Sequence, residues 1–78
     1  MTKQTKLFDK IKNNPSSATF AQIETLLLRE GFTLDRVAGS HHVFIREEII
    51  FVIPKHGKSV KTVYVKRVIE ILEKEFKK

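Results

Sequence analysis

The chain has 78 residues and a formal net charge of +6 at pH 7, which describes one small basic domain. It contains no cysteine, and this excludes disulfides, thiolate nucleophiles and zinc sites built on cysteine. No apolar run approaches the ~18 residues of a membrane span or follows the amino terminus as in a signal peptide, so we expect a cytoplasmic location.

A short amphipathic helix is predicted within residues 2–12. Its apolar residues have the spacing of one helix face: Leu7, Phe8 and Ile11. A run rich in Asn, Pro and Ser then breaks the pattern. Because this first segment is too short to fold alone, we treat residues 1–18 as an extension and residues 19–78 as the domain itself.

The second helix has sequence signals at both of its ends. Thr19 followed by Gln22 has the form of a capping box, and Gly31 has the position of a C-cap glycine. Apolar residues recur at helical spacing between these signals. A helix is therefore predicted over residues 19–30.

Three strands are predicted after this helix. Residues 32–37 alternate apolar and polar side chains, which is the pattern of a half-buried strand. A turn of small residues leads into a second strand over residues 41–46. Residues 49–53 are apolar throughout, which favours a third strand in the middle of the sheet or covered on both faces, and Pro54 ends it. The short links between the strands predict an antiparallel meander.

The chain ends in a helix whose N-cap is predicted at Thr62. The apolar residues behind it recur at the spacing of one buried face. They are Val65, Val68, Ile69, Leu72 and Phe76. The fold class is therefore α+β, with the order α-β-β-β-α, a three-stranded antiparallel sheet and an extra short helix at the amino terminus. The two main helices are expected to cover one face of the sheet.

Positive charge is concentrated in the second half of the chain. No acidic residue lies between Glu48 and Glu70. The basic residues of this interval are Lys55, Lys58, Lys61, Lys66 and Arg67. Clustering of one sign on so small a domain favours a phosphate-binding face, and nucleic acid is the commonest partner for such a face.

The three histidines, His41, His42 and His56, raise the question of a metal site. Adjacent residues on a strand point to opposite faces, so His41 and His42 cannot easily share one ion. No carboxylate adjoins them at ligand spacing, and we expect no bound metal. Ser40 beside His41 lacks a recognisable third member, which argues against a nucleophilic triad.

General acid–base chemistry requires fewer residues. Cleavage of RNA can use the substrate's own 2′-OH as the nucleophile, so the protein supplies a proton acceptor or donor and positive charge near the phosphate. Histidine is suited to the first task because its unperturbed pKa lies near neutral pH. Lysine is suited to the second. His41 or His42, with the basic loop after Pro54, therefore forms a candidate site.

Two motifs resemble those of a known family. Residues 39–44, GSHHVF, open the second strand, and residues 52–58, VIPKHGK, lead from the third strand into the basic loop. With a Gly-Phe pair closing the preceding helix and a Val-Ile pair in the last one, they resemble the HicA family. These are the mRNA interferase toxins of HicA–HicB toxin–antitoxin modules. The resemblance covers about residues 19–72, with Gly-Ser-His and Pro-x-His-Gly as two independent matches.

The resemblance implies a fold like that of double-stranded-RNA-binding domains. It also implies a metal-independent endoribonuclease without cofactor that cleaves mRNA, with His41 as its single catalytic histidine and His42 in a structural role. RNA binding would fall to Ser40, Lys55, His56, Lys58 and Lys61. A HicB-type antitoxin would be the protein partner, and it would cover His41.

Two other functions fit the same residues. A binding module without catalysis would use the basic surface to hold structured RNA by its shape and phosphates. An interaction protein would use the basic face to dock an acidic partner. The second function is compatible with a toxin that an antitoxin neutralises.

Overall fold

The computed structural model describes residues 6–77. Its helices are α1 (Lys6–Asn13), α2 (Phe20–Arg29) and α3 (Thr62–Phe76), with a short 3-10 turn at Pro15–Ser17. Its strands are β1 (Thr33–Ala38), β2 (His41–Arg46) and β3 (Ile49–Pro54). They form one antiparallel sheet in the order β1-β2-β3. The predicted α+β class and the order α-β-β-β-α are confirmed, and they are consistent with a double-stranded-RNA-binding-domain-like fold.

The start and end of α2 are those that the sequence predicts. The backbone N–H of Gln22 donates to Thr19 Oγ1 at 3.2 Å, and the backbone N–H of Thr19 donates to Gln22 Oε1 at 3.0 Å. These reciprocal bonds form the capping box. Gly31 follows the helix with φ of 90°, a conformation that favours glycine.

The start of α3 differs from the prediction. Thr62 is the first residue of the helix, and Lys61 occupies the N-cap position without a side-chain cap bond. The predicted buried face of this helix is nevertheless present. Val65, Val68, Ile69 and Leu72 are buried, and Phe76 packs against the core while partly exposed.

The core lies between the sheet and the helices. The sheet contributes Phe44, Phe51 and Ile53 to it, on one face. Helix α1 joins this core, since Phe8 is fully buried and packs edge-on against Phe76 with ring centroids 4.8 Å apart. The predicted start of the first helix at residues 2–5 lies outside the described residues. Within residues 6–77, no helix combines the length and the apolar character needed to cross a bilayer.

The burial predicted for the two outer strands, half-buried for the first and central or covered on both faces for the third, was wrong. β3 is an edge strand, and its residues Ile50 and Val52 are 57% and 44% exposed. All residues of β1 are exposed as well, and only Phe32 before it is buried. The reason is that β2 takes the centre of the meander and the helices cover only one face. The opposite face carries apolar side chains that no helix within residues 6–77 covers.

Candidate active site around His41

β2 separates the two adjacent histidines. His42 is on the same side of the strand as the buried Phe44, and its ring packs edge-on against Phe20 with centroids 4.7 Å apart. Its Nδ1–H donates to the backbone carbonyl of Ser40 at 3.2 Å. His41 is on the other side and is exposed. Its imidazole makes no hydrogen bond or ion pair to any residue within 6–77.

His41 lines a cavity of about 340 Å³, which we call the histidine cavity. The start of β2, the end of β3, the loop after it and the first turn of α3 form its walls. Its lining residues are His41, Pro54, His56, Ser59, Val60, Lys61 and Tyr64. The fold thus brings His41 and His56 to one concave site, with the cation of Lys61 at the same site.

The loop that carries His56 is held by backbone hydrogen bonds to two other parts of the fold. The Lys55 N–H donates to the Ser40 carbonyl at 2.7 Å, which joins the loop to the turn before β2. The Phe20 N–H donates to the Lys58 carbonyl at 2.8 Å, which joins it to the start of α2. These bonds fix the loop, and so the backbone that carries His56, relative to β2.

The backbone of Ser40 connects strand β2 with the basic loop after β3. Its carbonyl oxygen accepts from the Lys55 N–H and from His42 Nδ1–H. The preceding Gly39 has φ of 61°, a left-handed conformation that a side chain disfavours. The Gly-Ser pair therefore makes the turn that sets the direction of β2 and the position of the basic loop.

The predicted lysines fall into two groups. Lys61 lines the histidine cavity, whereas Lys55 and Lys58 line a neighbouring cavity of about 350 Å³ at the start of α2. We call this the lysine cavity. Its lining residues are Thr19, Phe20, Ala21, Glu24, Lys55, Gly57 and Lys58. The Lys55 ammonium lies 5.3 Å from the centre of the Phe20 ring, within the range of a cation–π contact.

Tyr64 is a site residue that the sequence reasoning missed. It lies in the first turn of α3, partly exposed, and lines the histidine cavity. Its signal in the sequence is modest. It is the single tyrosine of the chain, it lies just beyond the basic loop, and it falls off the buried face of the helix.

The histidine cavity is lined by groups that are able to bind an anion and to exchange a proton. Its lining consists of two imidazoles, an ammonium, two hydroxyl groups and apolar side chains, without a carboxylate among these residues. Within residues 6–77, no group of three His, Cys, Asp or Glu side chains has the arrangement of a metal site. A phosphate bound here would have an imidazole beside it that is free to exchange a proton.

A family model described as HicA toxin of bacterial toxin-antitoxin matches residues 20–74. The matched segment begins with α2 and ends within α3, so it contains every residue that lines the histidine cavity and excludes α1. Comparison with curated proteins and with solved structures gives no significant match.

Proposed function

The chain belongs to the HicA toxin family of bacterial toxin–antitoxin systems, and we propose that it is a type II toxin that cleaves mRNA as a metal-independent endoribonuclease. The observation that carries the proposal is the position of His41. Its imidazole is exposed, without a partner among residues 6–77, in a concave site shared with His56 and Lys61. An accessible imidazole beside positive charge is suited to act as an acid–base group next to a bound phosphate.

In this proposal the RNA 2′-OH attacks the adjacent phosphorus. The O2′–P bond forms and the P–O5′ bond breaks, which yields a 2′,3′-cyclic phosphate and a free 5′-OH. The 2′-OH proton passes to the imidazole of His41, and solvent supplies the proton that O5′ takes up. Lys61 stabilises the charge that develops on the phosphoryl oxygens, while His56 binds and orients the phosphate.

The remaining candidate residues bind the RNA backbone away from the cleaved bond. Lys55 and Lys58 border the lysine cavity, whose lining does not include His41. They contribute affinity for phosphates that does not depend on base sequence. Ser40 lies in the turn that holds the loop and presents a partly exposed side chain next to His41.

The proposed protein partner is a HicB-type antitoxin. An acidic surface on the antitoxin would complement the cations around the histidine cavity, and it would inhibit cleavage by covering His41. The toxin and antitoxin would meet in the cytoplasm. An inhibited complex in which His41 stays open to solvent would argue against this mode of neutralisation.

The function is tested by expressing the wild-type chain and His41→Ala side by side. We expect the wild type to arrest growth and to cleave RNA, and the variant to do neither while its circular dichroism spectrum stays unchanged. A folded His41→Ala protein that still cleaves RNA would overturn the catalytic role. Salt-dependent RNA binding without cleavage by either protein would instead identify a non-catalytic RNA-binding module.

A further inference from the structure

Tyr64 lies at the boundary between two concave surfaces. On one side it lines the histidine cavity. On the other side it lines a groove of about 240 Å³ along the edge strand, which we call the strand groove. The residues that line the strand groove are Ile50, Phe51, Val52, Ile53, Tyr64 and Arg67. Tyr64 is the residue that these two linings share, so a ligand passing from one to the other crosses its side chain.

The side chain of Tyr64 has a free polar end on a fixed ring. It is partly exposed, and it packs against the core from the first turn of α3. Its hydroxyl makes no hydrogen bond to any residue within 6–77. A rigid aromatic ring that is held on one side and accessible on the other is the kind of surface on which a nucleobase stacks.

Cations flank Tyr64 on both sides along α3. Lys61, Tyr64 and Arg67 are spaced three residues apart, so they lie on one side of the helix. Lys61 lines the histidine cavity and Arg67 lines the strand groove. The backbone positions of Lys61 and Arg67 are about 9 Å apart along the helix axis. A phosphate on each side of a base stacked on Tyr64 would thus meet a positive charge.

The strand groove itself favours an unpaired nucleotide as the occupant. Ile50 and Val52 are exposed on β3 beside the groove, and they offer an apolar wall to the edge of a base. A base in a duplex is already paired and stacked within its own helix, so its ring is not accessible to a side chain. Single-stranded RNA presents both a free base and the phosphates that the flanking cations attract.

We propose that Tyr64 stacks on an unpaired base of single-stranded RNA, next to the phosphate that the 2′-OH attacks beside His41, while Arg67 binds the following phosphate in the strand groove. This inference rests on the proposed ribonuclease function and defines its substrate as unpaired RNA at this position. It makes Tyr64 a binding residue of the site, and it gives the RNA a path from the histidine cavity to the edge of the sheet.

The composition of the chain provides a direct probe. Tyr64 is the single tyrosine and there is no tryptophan, so tyrosine fluorescence reports on this side chain alone. The experiment uses the full chain with His41→Ala, which prevents cleavage, and a short single-stranded RNA whose binding is followed by fluorescence anisotropy. We expect the tyrosine emission to be quenched in step with binding, at the same RNA concentrations. Binding without quenching would overturn the stacking.

Variants of Tyr64 in the same His41→Ala background separate stacking from other roles. Tyr64→Leu keeps an apolar side chain against the core, and we expect it to lower the affinity by about 5-fold to 150-fold. Tyr64→Phe should bind as the parent does, because the ring remains. Val63→Ala, a change at a neighbouring residue that is 68% exposed and lines neither concave surface, is the matched control.

The outcomes distinguish the inference from the function on which it rests. If the parent binds RNA and Tyr64→Leu binds equally well, the stacking is wrong and the ribonuclease proposal stands. If Tyr64→Phe loses as much affinity as Tyr64→Leu, the hydroxyl and not the ring makes the contact, which also contradicts stacking. If the parent binds no RNA at low salt, both proposals fall. If Tyr64→Leu lowers the affinity for a duplex of the same sequence by as much as for the single strand, the preference for unpaired RNA is contradicted.

Discussion

The ring of His42 packs edge-on against the ring of Phe20, with centroids 4.7 Å apart and planes inclined by 64°. This contact assigns different tasks to two histidines that are neighbours in the sequence. His42 belongs to the packing between β2 and α2 and supports the turn through its bond to the Ser40 carbonyl. His41, on the opposite side of the strand, is left exposed to the cavity.

The first prediction concerns stability. His42→Ala removes an edge-on aromatic contact and a hydrogen bond, so we expect the free energy of unfolding to fall by about 1–3 kcal/mol. His41→Ala removes an exposed side chain without a partner among residues 6–77, and a change of at most about 0.5 kcal/mol is expected. Urea unfolding of both variants measures the difference. Equal losses for the two substitutions would contradict the assignment.

The second prediction concerns the pH dependence of stability. Glu30 at the end of α2 is 7% exposed, and its Oε1 accepts no hydrogen bond within residues 6–77. Burial raises the pKa of Glu30, and the nearby Arg46 only partly counteracts this by lowering it. The folded protein therefore binds a proton here more tightly than the unfolded chain does. The stability from this group is present below the ordinary glutamate pKa and is lost as the pH rises through the raised folded pKa.

Glu30→Gln tests this sign. The unfolding free energy of the wild type minus that of the variant should decrease as the pH rises from the ordinary glutamate pKa through the raised folded pKa of Glu30. Glu73→Gln is a control of opposite sign, because the hydrogen bond from Lys12 lowers the pKa of Glu73. For Glu73 the same difference should increase as the pH rises through the depressed folded pKa towards the ordinary value. Urea unfolding over a pH series measures both, and parallel curves for Glu30→Gln and wild type would refute the prediction.

The third prediction separates the two groups of lysines. Lys61 lines the histidine cavity, so in the wild-type background we expect Lys61→Ala to lower kcat for RNA cleavage by about 100-fold. Lys58 lines the lysine cavity, and Lys58→Ala should weaken RNA binding with little effect on kcat. Single-turnover cleavage at saturating protein measures the first effect. Similar losses of kcat in both variants would show that the two cavities do not differ in function.

The salt dependence of RNA affinity, measured in the His41→Ala background, tests whether Lys58 and Lys61 each contact a phosphate. Each lysine that neutralises a phosphate of single-stranded RNA should contribute about 0.7 to the slope of log affinity against log salt. Lys58→Ala and Lys61→Ala are each expected to reduce the slope by that amount. Lys10→Ala, an exposed change on α1 outside the residues matched by the family, is the control and should leave the slope unaltered.

Local signals in the sequence determined much of the scaffold. The capping box at Thr19 and the glycine at position 31 bound α2 because their hydrogen bonds and backbone angles involve residues only a few positions apart. The spacing of Val65, Val68, Ile69 and Leu72 predicted the buried face of α3 for the same reason. Strand alternation likewise predicted that His41 and His42 point in opposite directions, and the structure has them on opposite sides of β2.

Only the tertiary structure decided which surfaces are covered and which residues meet. An apolar run such as residues 49–53 reads the same in a central strand and in an edge strand, because strand order depends on pairings between distant segments. In the same way, Lys61 and Lys55 belong to one loop in the sequence but to different cavities in space. Tyr64 lines the same cavity as His41 because the first turn of α3 lies near the end of β3, and no periodicity within either segment encodes this arrangement.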